Sequence, residues 1–181
     1  QVTTQQFSLG LARRGLVATV SRLLGSDRRR FGAFIVHSGV LLIIVAIAIS
    51  HTMRQQSETS LVEGESVTLG AYSLTFVGIE RRVEAHRKVL AARIAVQSNG
   101  RPIGELKPAI NHYFSQREPI GTPAVRVGLF SDLYLSMMSY EPKTKTLGLR
   151  AFINPLVSWI WFGAMLMVLG AILALLPRRA P

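Results

Sequence analysis

The chain has 181 residues, no cysteine and a net charge of +11, so its own side chains offer no disulfide staple and no thiol for redox or metal chemistry. A basic excess suits nucleic acid when it forms a binding stripe. Here six arginines (Arg13, Arg14, Arg22, Arg28, Arg29 and Arg30) precede one apolar stretch while Arg178 and Arg179 close another, which is the positive-inside signature of a membrane protein with both termini cytoplasmic.

Residues 1–30 carry Leu11, Leu16, Val20 and Leu24 at helical spacing, with Arg13, Arg14 and Arg22 mostly on other faces. They read as a cytoplasmic amphipathic lead-in, either lying on the inner membrane surface or packing as a linker helix on other protein. Gly25-Ser26-Asp27 interrupts it. The chain opens on Gln1, and its first apolar stretch lacks a small-residue cleavage site. A fragment or downstream piece of a longer protein is therefore expected, without a signal peptide.

Residues 31–50 hold no formal charge and one histidine, and residues 156–176 hold no ionisable group. At about 1.5 Å per residue each makes roughly 30 Å of helix, the thickness of a hydrocarbon core. Both are predicted to span a membrane.

Between them, residues 51–155 change period. Val67, Leu69, Tyr72, Leu74 and Phe76, then Ile94 and Val96, largely alternate and are rich in β-branched and aromatic types. Turn signals stand at Glu63-Gly64-Glu65, at Ser98-Asn99-Gly100 and around Pro142-Lys143, and the Asn-Gly pair marks a hairpin. Roughly seven to nine short strands in a small barrel or sandwich are expected. Thirteen Lys and Arg against nine Asp and Glu leave this segment basic, which hints at an anionic partner.

In the second apolar stretch Trp159 and Trp161 follow Pro155 at the expected outer interface. Gly163, Met167, Gly170 and Ala174 form a seam of mostly small residues, as do Gly32 and Gly39 in the first stretch. Residues 177–181 are a cytoplasmic tail. The predicted fold is a membrane protein of α+β class, two transmembrane helices flanking an extracytoplasmic all-β domain.

The most informative residue is His37. An ionisable group inside an apolar helix is costly, so it faces a bundle interior and marks either a functional site or a paired structural contact. On a helical wheel it shares a face with Ala33, Leu41, Ile44 and Ala48, opposite Gly32 and Gly39. Small and aliphatic neighbours suit a flat apolar ligand, and neutral imidazole ligates metals, haem iron included. Two roles fit: a hydrogen bond to another helix, or ligation completed by a group elsewhere, since the second helix contains no histidine.

The remaining histidines carry less. His51 lies at a helix end, His86 in a charged loop and His112 beside Tyr113 in a strand. No nucleophilic triad order, phosphate loop, zinc spacing or paired-carboxylate motif appears. Arg81, Arg82, Arg87, Lys88 and Arg93 form a basic cluster suited to anionic groups or an acidic partner face, and equally to plain solvation.

The order of features resembles the C-terminal part of the cytochrome c maturation protein F (CcmF) family. An Arg-rich stretch leads into Arg30-Phe31-Gly32-Ala33-Phe34-Ile35-Val36-His37-Ser38-Gly39-Val40. A β-rich domain follows with Val62-Glu63-Gly64-Glu65-Ser66, Tyr72-Ser73-Leu74-Thr75-Phe76 and Asp132-Leu133-Tyr134, then Pro155-Leu156-Val157-Ser158-Trp159-Ile160-Trp161.

The resemblance implies an inner-membrane haem lyase component of cytochrome c-type biogenesis. Such a component takes haem from a periplasmic haem chaperone and works with an apocytochrome c-binding subunit to attach it to Cys-x-x-Cys-His motifs, the β domain being periplasmic. It also implies that His37 is an axial ligand of a transmembrane haem b, with Ala33, Leu41 and Ile44 as pocket. Arg81, Arg82, Arg87 and Lys88 become candidates for haem propionates or partner docking.

The family's tryptophan-rich segment, its two external histidines and its other transmembrane histidine are absent from these residues. The external-histidine role does not transfer to His51, His86 or His112, and the second axial ligand is expected outside this chain. The competing expectation is a non-catalytic two-helix membrane adaptor whose periplasmic β domain binds another envelope protein.

Overall fold

The computed structural model describes residues 28–176; the lead-in read from Leu11 to Leu24 and the pair Arg178 and Arg179 lie outside them. Helix α1 runs Arg28–Thr52 and helix α2 runs Val157–Leu175. Both are long and apolar enough to cross a membrane. Their 25 and 19 residues correspond to about 37 and 28 Å of helix. α1 extends back over Arg28-Arg29-Arg30 because arginine is a good helix former whose long stem lets the charge reach water. The described chain divides into two compact units: the helices, up to Val45 and from Ile160, and the domain Ala46–Trp159.

In the helix unit the glycines are where the helices meet. A Cβ on Gly39 would stand 2.6 Å from the Gly163 carbonyl oxygen, and one on Gly163 2.8 Å from the Gly39 oxygen. Gly32 and Gly170 repeat the arrangement at 2.6 and 2.7 Å. The pairing of Gly32 with Gly170 and Gly39 with Gly163 makes the helices antiparallel. Spaced seven residues apart on both, these glycines form a seam on which backbones approach too closely for side chains.

The domain contains ten strands among the described residues: β1 (Gln55–Val62), β2 (Ser66–Leu69), β3 (Tyr72–Val83), β4 (Arg87–Ser98), β5 (Arg101–Leu106), β6 (Ala109–Tyr113), β7 (Ile120–Thr122), β8 (Ala124–Arg126), β9 (Ser131–Glu141) and β10 (Thr146–Pro155). They form two sheets, β1-β10-β9-β8 and β2-β3-β4-β6-β7, with β5 on β4. All pairs are antiparallel. Of the two architectures expected, the sandwich is the one formed.

The strand number exceeds the expectation because β7 and β8, three residues each, are too short for alternation to register. Pro123 between them lacks the N–H that would continue the ladder, and there the chain passes from one sheet to the other.

The core is the inner face of both sheets. Leu74 and Phe76 of β3, Ala92, Ile94 and Val96 of β4, Leu133, Leu135 and Met137 of β9, and Leu147, Leu149, Ala151 and Ile153 of β10 are all buried together, with Leu61 of β1. Period-two placement puts these residues inside and their neighbours outside. Asn99 and Gly100 adopt φ 49° and 76°, the left-handed pair that a two-residue hairpin turn needs, and join β4 to β5 as the expected hairpin, with Ser98 opposite Arg101.

Candidate functional site

His37 lies mid-way along α1 with Ala33, Leu41 and Ile44 on one exposed face, while Gly32 and Gly39 are buried on the other. Its Nδ1 is 2.7 Å from the Ala33 carbonyl oxygen. A carbonyl only accepts, so Nδ1 carries the proton in this bond and Nε2 is the ring nitrogen left to bind a metal. Metal-ligating histidines are commonly held this way, their second nitrogen donating to a backbone carbonyl that fixes tautomer and ring orientation.

The sequence reading put Ala33 beside the imidazole as a small pocket residue. It missed the carbonyl's orienting bond, although the separation of four residues was the available signal. The residues present therefore fit an axial metal ligand: an oriented imidazole with Nε2 available, on a face of one alanine and aliphatic side chains.

No second histidine joins it among the described residues. His51 closes the last turn of α1, His86 lies in the turn between β3 and β4, and His112 is exposed on β6. No cluster of three His, Cys, Asp or Glu side chains occurs there either.

The outer basic residues are largely matched by acids on the same sheet. Arg87 Nε donates to Glu84 Oε2 at 2.6 Å and its Nη1 to the Tyr113 hydroxyl at 3.1 Å, while His86 stacks on the Tyr113 ring. Arg93 makes a two-pronged bond to Glu105 at 2.9 and 3.0 Å. Glu80 receives Lys107 at 2.8 Å and Arg82 at 3.3 Å. Of the five cluster residues, Arg81 and Lys88 have no carboxylate partner among the described residues. The cluster is thus an alternating charged surface rather than a uniformly cationic one.

These pairs set an acid limit. The hydrogen bond from Lys107, with its charge, holds Glu80 below the ordinary glutamate value of 4.5, as Arg87 does for Glu84 and Arg93 for Glu105. Each carboxylate binds its proton more weakly folded than unfolded. Stability is then level above the ordinary value and falls as pH drops below it, where the unfolded chain protonates first. Thermal midpoints measured across this range should fall on the acid side, and Arg93→Ala should flatten the slope. Because the groups are exposed, the effect is modest.

Comparison with known proteins places the chain. Residues 52–155, the sandwich, match the family model described as the CcmF C-terminal beta-sandwich. Similar proteins include the probable cytochrome c-type biogenesis protein NrfE of Escherichia coli, 27% identical over 88% of this chain and 29% of its own length. The cytochrome c-type biogenesis protein CcmF of Pseudomonas aeruginosa is 29% identical over 84% of this chain and 23% of its own. A solved structure named cytochrome c heme lyase CcmF superposes with a TM-score of 0.69 at 27% identity, covering 84% of this chain and 25% of that one. The chain thus spans about a quarter of the length of the relatives it matches. Through its sandwich, flanked by two apolar helices, the chain belongs to the CcmF C-terminal beta-sandwich family.

Proposed function

We propose that this chain is part of an inner-membrane haem lyase of cytochrome c maturation, in which α1 and α2 cross the bilayer and the sandwich stands in the periplasm. Its role is to help pass haem from a periplasmic haem chaperone to apocytochrome c. His37 serves as one axial ligand of a membrane haem b whose second ligand comes from outside this chain.

The observation that carries this reading is the Nδ1 bond to Ala33, on a face that no described element covers. In a bilayer an imidazole left facing lipid is costly, so a ligand or another helix has to cover it. A group held there supplies one-electron redox chemistry, with a potential set by its axial ligands and by burial. This chain's own contribution is to hold the imidazole in one tautomer and to keep water away with Leu41 and Ile44. In the sandwich, Arg81 and Lys88 are the cluster cations left to meet propionates or an acidic partner surface.

The test is the absorption spectrum of the purified membrane complex. His37→Ala should abolish the reduced haem b band while the protein still assembles. Unchanged haem content in that variant would remove the ligand role and favour the adaptor, in which His37 only hydrogen-bonds to a neighbouring helix.

A further inference from the structure

Between β8 and β9 the sequence runs Val127-Gly128-Leu129-Phe130, with Val127, Leu129 and Phe130 71%, 53% and 65% exposed. Exposed apolar side chains on a short loop are ordinary singly, but here the backbone is unusually well satisfied. The Ser158 hydroxyl donates to the Gly128 carbonyl at 2.7 Å, the Trp159 indole N–H to the Leu129 carbonyl at 3.0 Å and the Leu156 N–H to the Phe130 carbonyl at 2.9 Å. The Gly128 N–H donates to the buried Asp132 carboxylate at 3.0 Å.

All three donors to the carbonyls belong to the segment that enters α2, and the Phe130 ring lies 6.3 Å from that of Trp159. A Cβ on Gly128 would collide with the Ser131 carbonyl, so the tight path excludes a larger residue. The loop therefore presents apolar side chains outward while consecutive carbonyls are capped from within. That is what backbone needs wherever water is scarce.

We propose that Val127–Phe130 is a membrane-seated loop, whose side chains enter the outer-leaflet interface beside the first turn of α2 and fix that end of the sandwich to the lipid surface. The occupant is lipid rather than protein because the loop is bonded to the residues at which an apolar, membrane-length helix begins, so it shares their depth. Trp159, which caps it, is the residue type that favours that depth.

β9 and β10 supply the internal control. They run antiparallel from Ser131 beside Pro155 to Glu141 beside Thr146, so the turn holding Lys143 is about 30 Å along the strands from the loop.

The chain lacks cysteine, so single-cysteine variants label uniquely. Leu129→Cys, Val127→Cys and Lys143→Cys would each be made in the full chain, coupled to an environment-sensitive fluorophore and placed in phosphatidylglycerol–phosphatidylethanolamine nanodiscs with nitroxide on the upper acyl chain. An interfacial segment sits about 5–10 Å into the headgroup and acyl boundary. Labels at 127 and 129 should accordingly be blue-shifted and quenched severalfold more than the label at 143. Quenching at both loop positions no greater than at 143, in protein with an unchanged β-sheet circular dichroism signal, would overturn the proposal. That result would also be the outcome if a second copy or a partner protein covered the loop.

Discussion

Phe76→Ala should destabilise the sandwich by about 3–5 kcal/mol, the cost typical of removing a fully buried aromatic ring. The ring is 1% exposed in the core cluster that holds Leu74 and Ile94, stands opposite Ile94 in the β3–β4 register, and meets Tyr140 edge-on at 6.5 Å. Truncation removes transfer energy and leaves a void that flanking strands are poorly able to close. Phe76 borders the bulge where β3 shifts register against β4, and hydrogen-bonded ladders hold both sides. A domain of this size has about 5–15 kcal/mol of stability in total, and with no disulfide the unfolded chain is unconstrained. Denaturant titration of the β-sheet signal should show the midpoint falling sharply with an unchanged slope. A shift no larger than that of an exposed substitution such as Val83→Ala would mean that the sandwich core is not packed around this ring.

The sequence made the outline readable where one physical signal dominates. Alternation at Leu74 and Phe76 of β3 and at Ile94 and Val96 of β4 picked out core residues because these strands bury one face, and Asn99-Gly100 named its own turn. The glycines at positions 32, 39, 163 and 170 announced a close helix contact because only glycine admits one. The choice of sandwich over barrel was not legible, since it depends on where β7 hands over to β8 across Pro123, and three-residue strands leave no period. Glu80 and Glu84 stand two and three residues from Arg82 and Arg87 and were there to be read, but the partner of Arg93 was hidden for a related reason. Arg93 and Glu105 are neighbours only through the register of β4 on β5, so a cluster that looks cationic in one dimension is mixed in three. At His37 the residue type and its face were evident, but the tautomer follows from the helix geometry that brings Nδ1 to the Ala33 carbonyl.

Gly39→Leu should separate α1 from α2. A Cβ there already meets the Gly163 oxygen at 2.6 Å, Met167 Cγ at 2.7 Å and the Met167 nitrogen at 3.0 Å. Two of these are backbone atoms, which no rotamer change can move. Overpacking of this kind costs about 1–3 kcal/mol for a small addition such as Gly39→Ala, and leucine adds three further carbons to the same gap. Both helices should lose protection in amide hydrogen exchange, and the thermal midpoint of the detergent-solubilised chain should fall, with Leu far worse than Ala. The control is on the same helix: His37 faces the other way, so His37→Ala should leave exchange along the seam as it was. The two substitutions form a double dissociation. If Gly39→Leu left exchange untouched, the seam would not be what joins the helices. If His37→Ala loosened it, the imidazole would be a packing residue of this pair, and its place as a ligand for a group outside the chain would lose its structural basis.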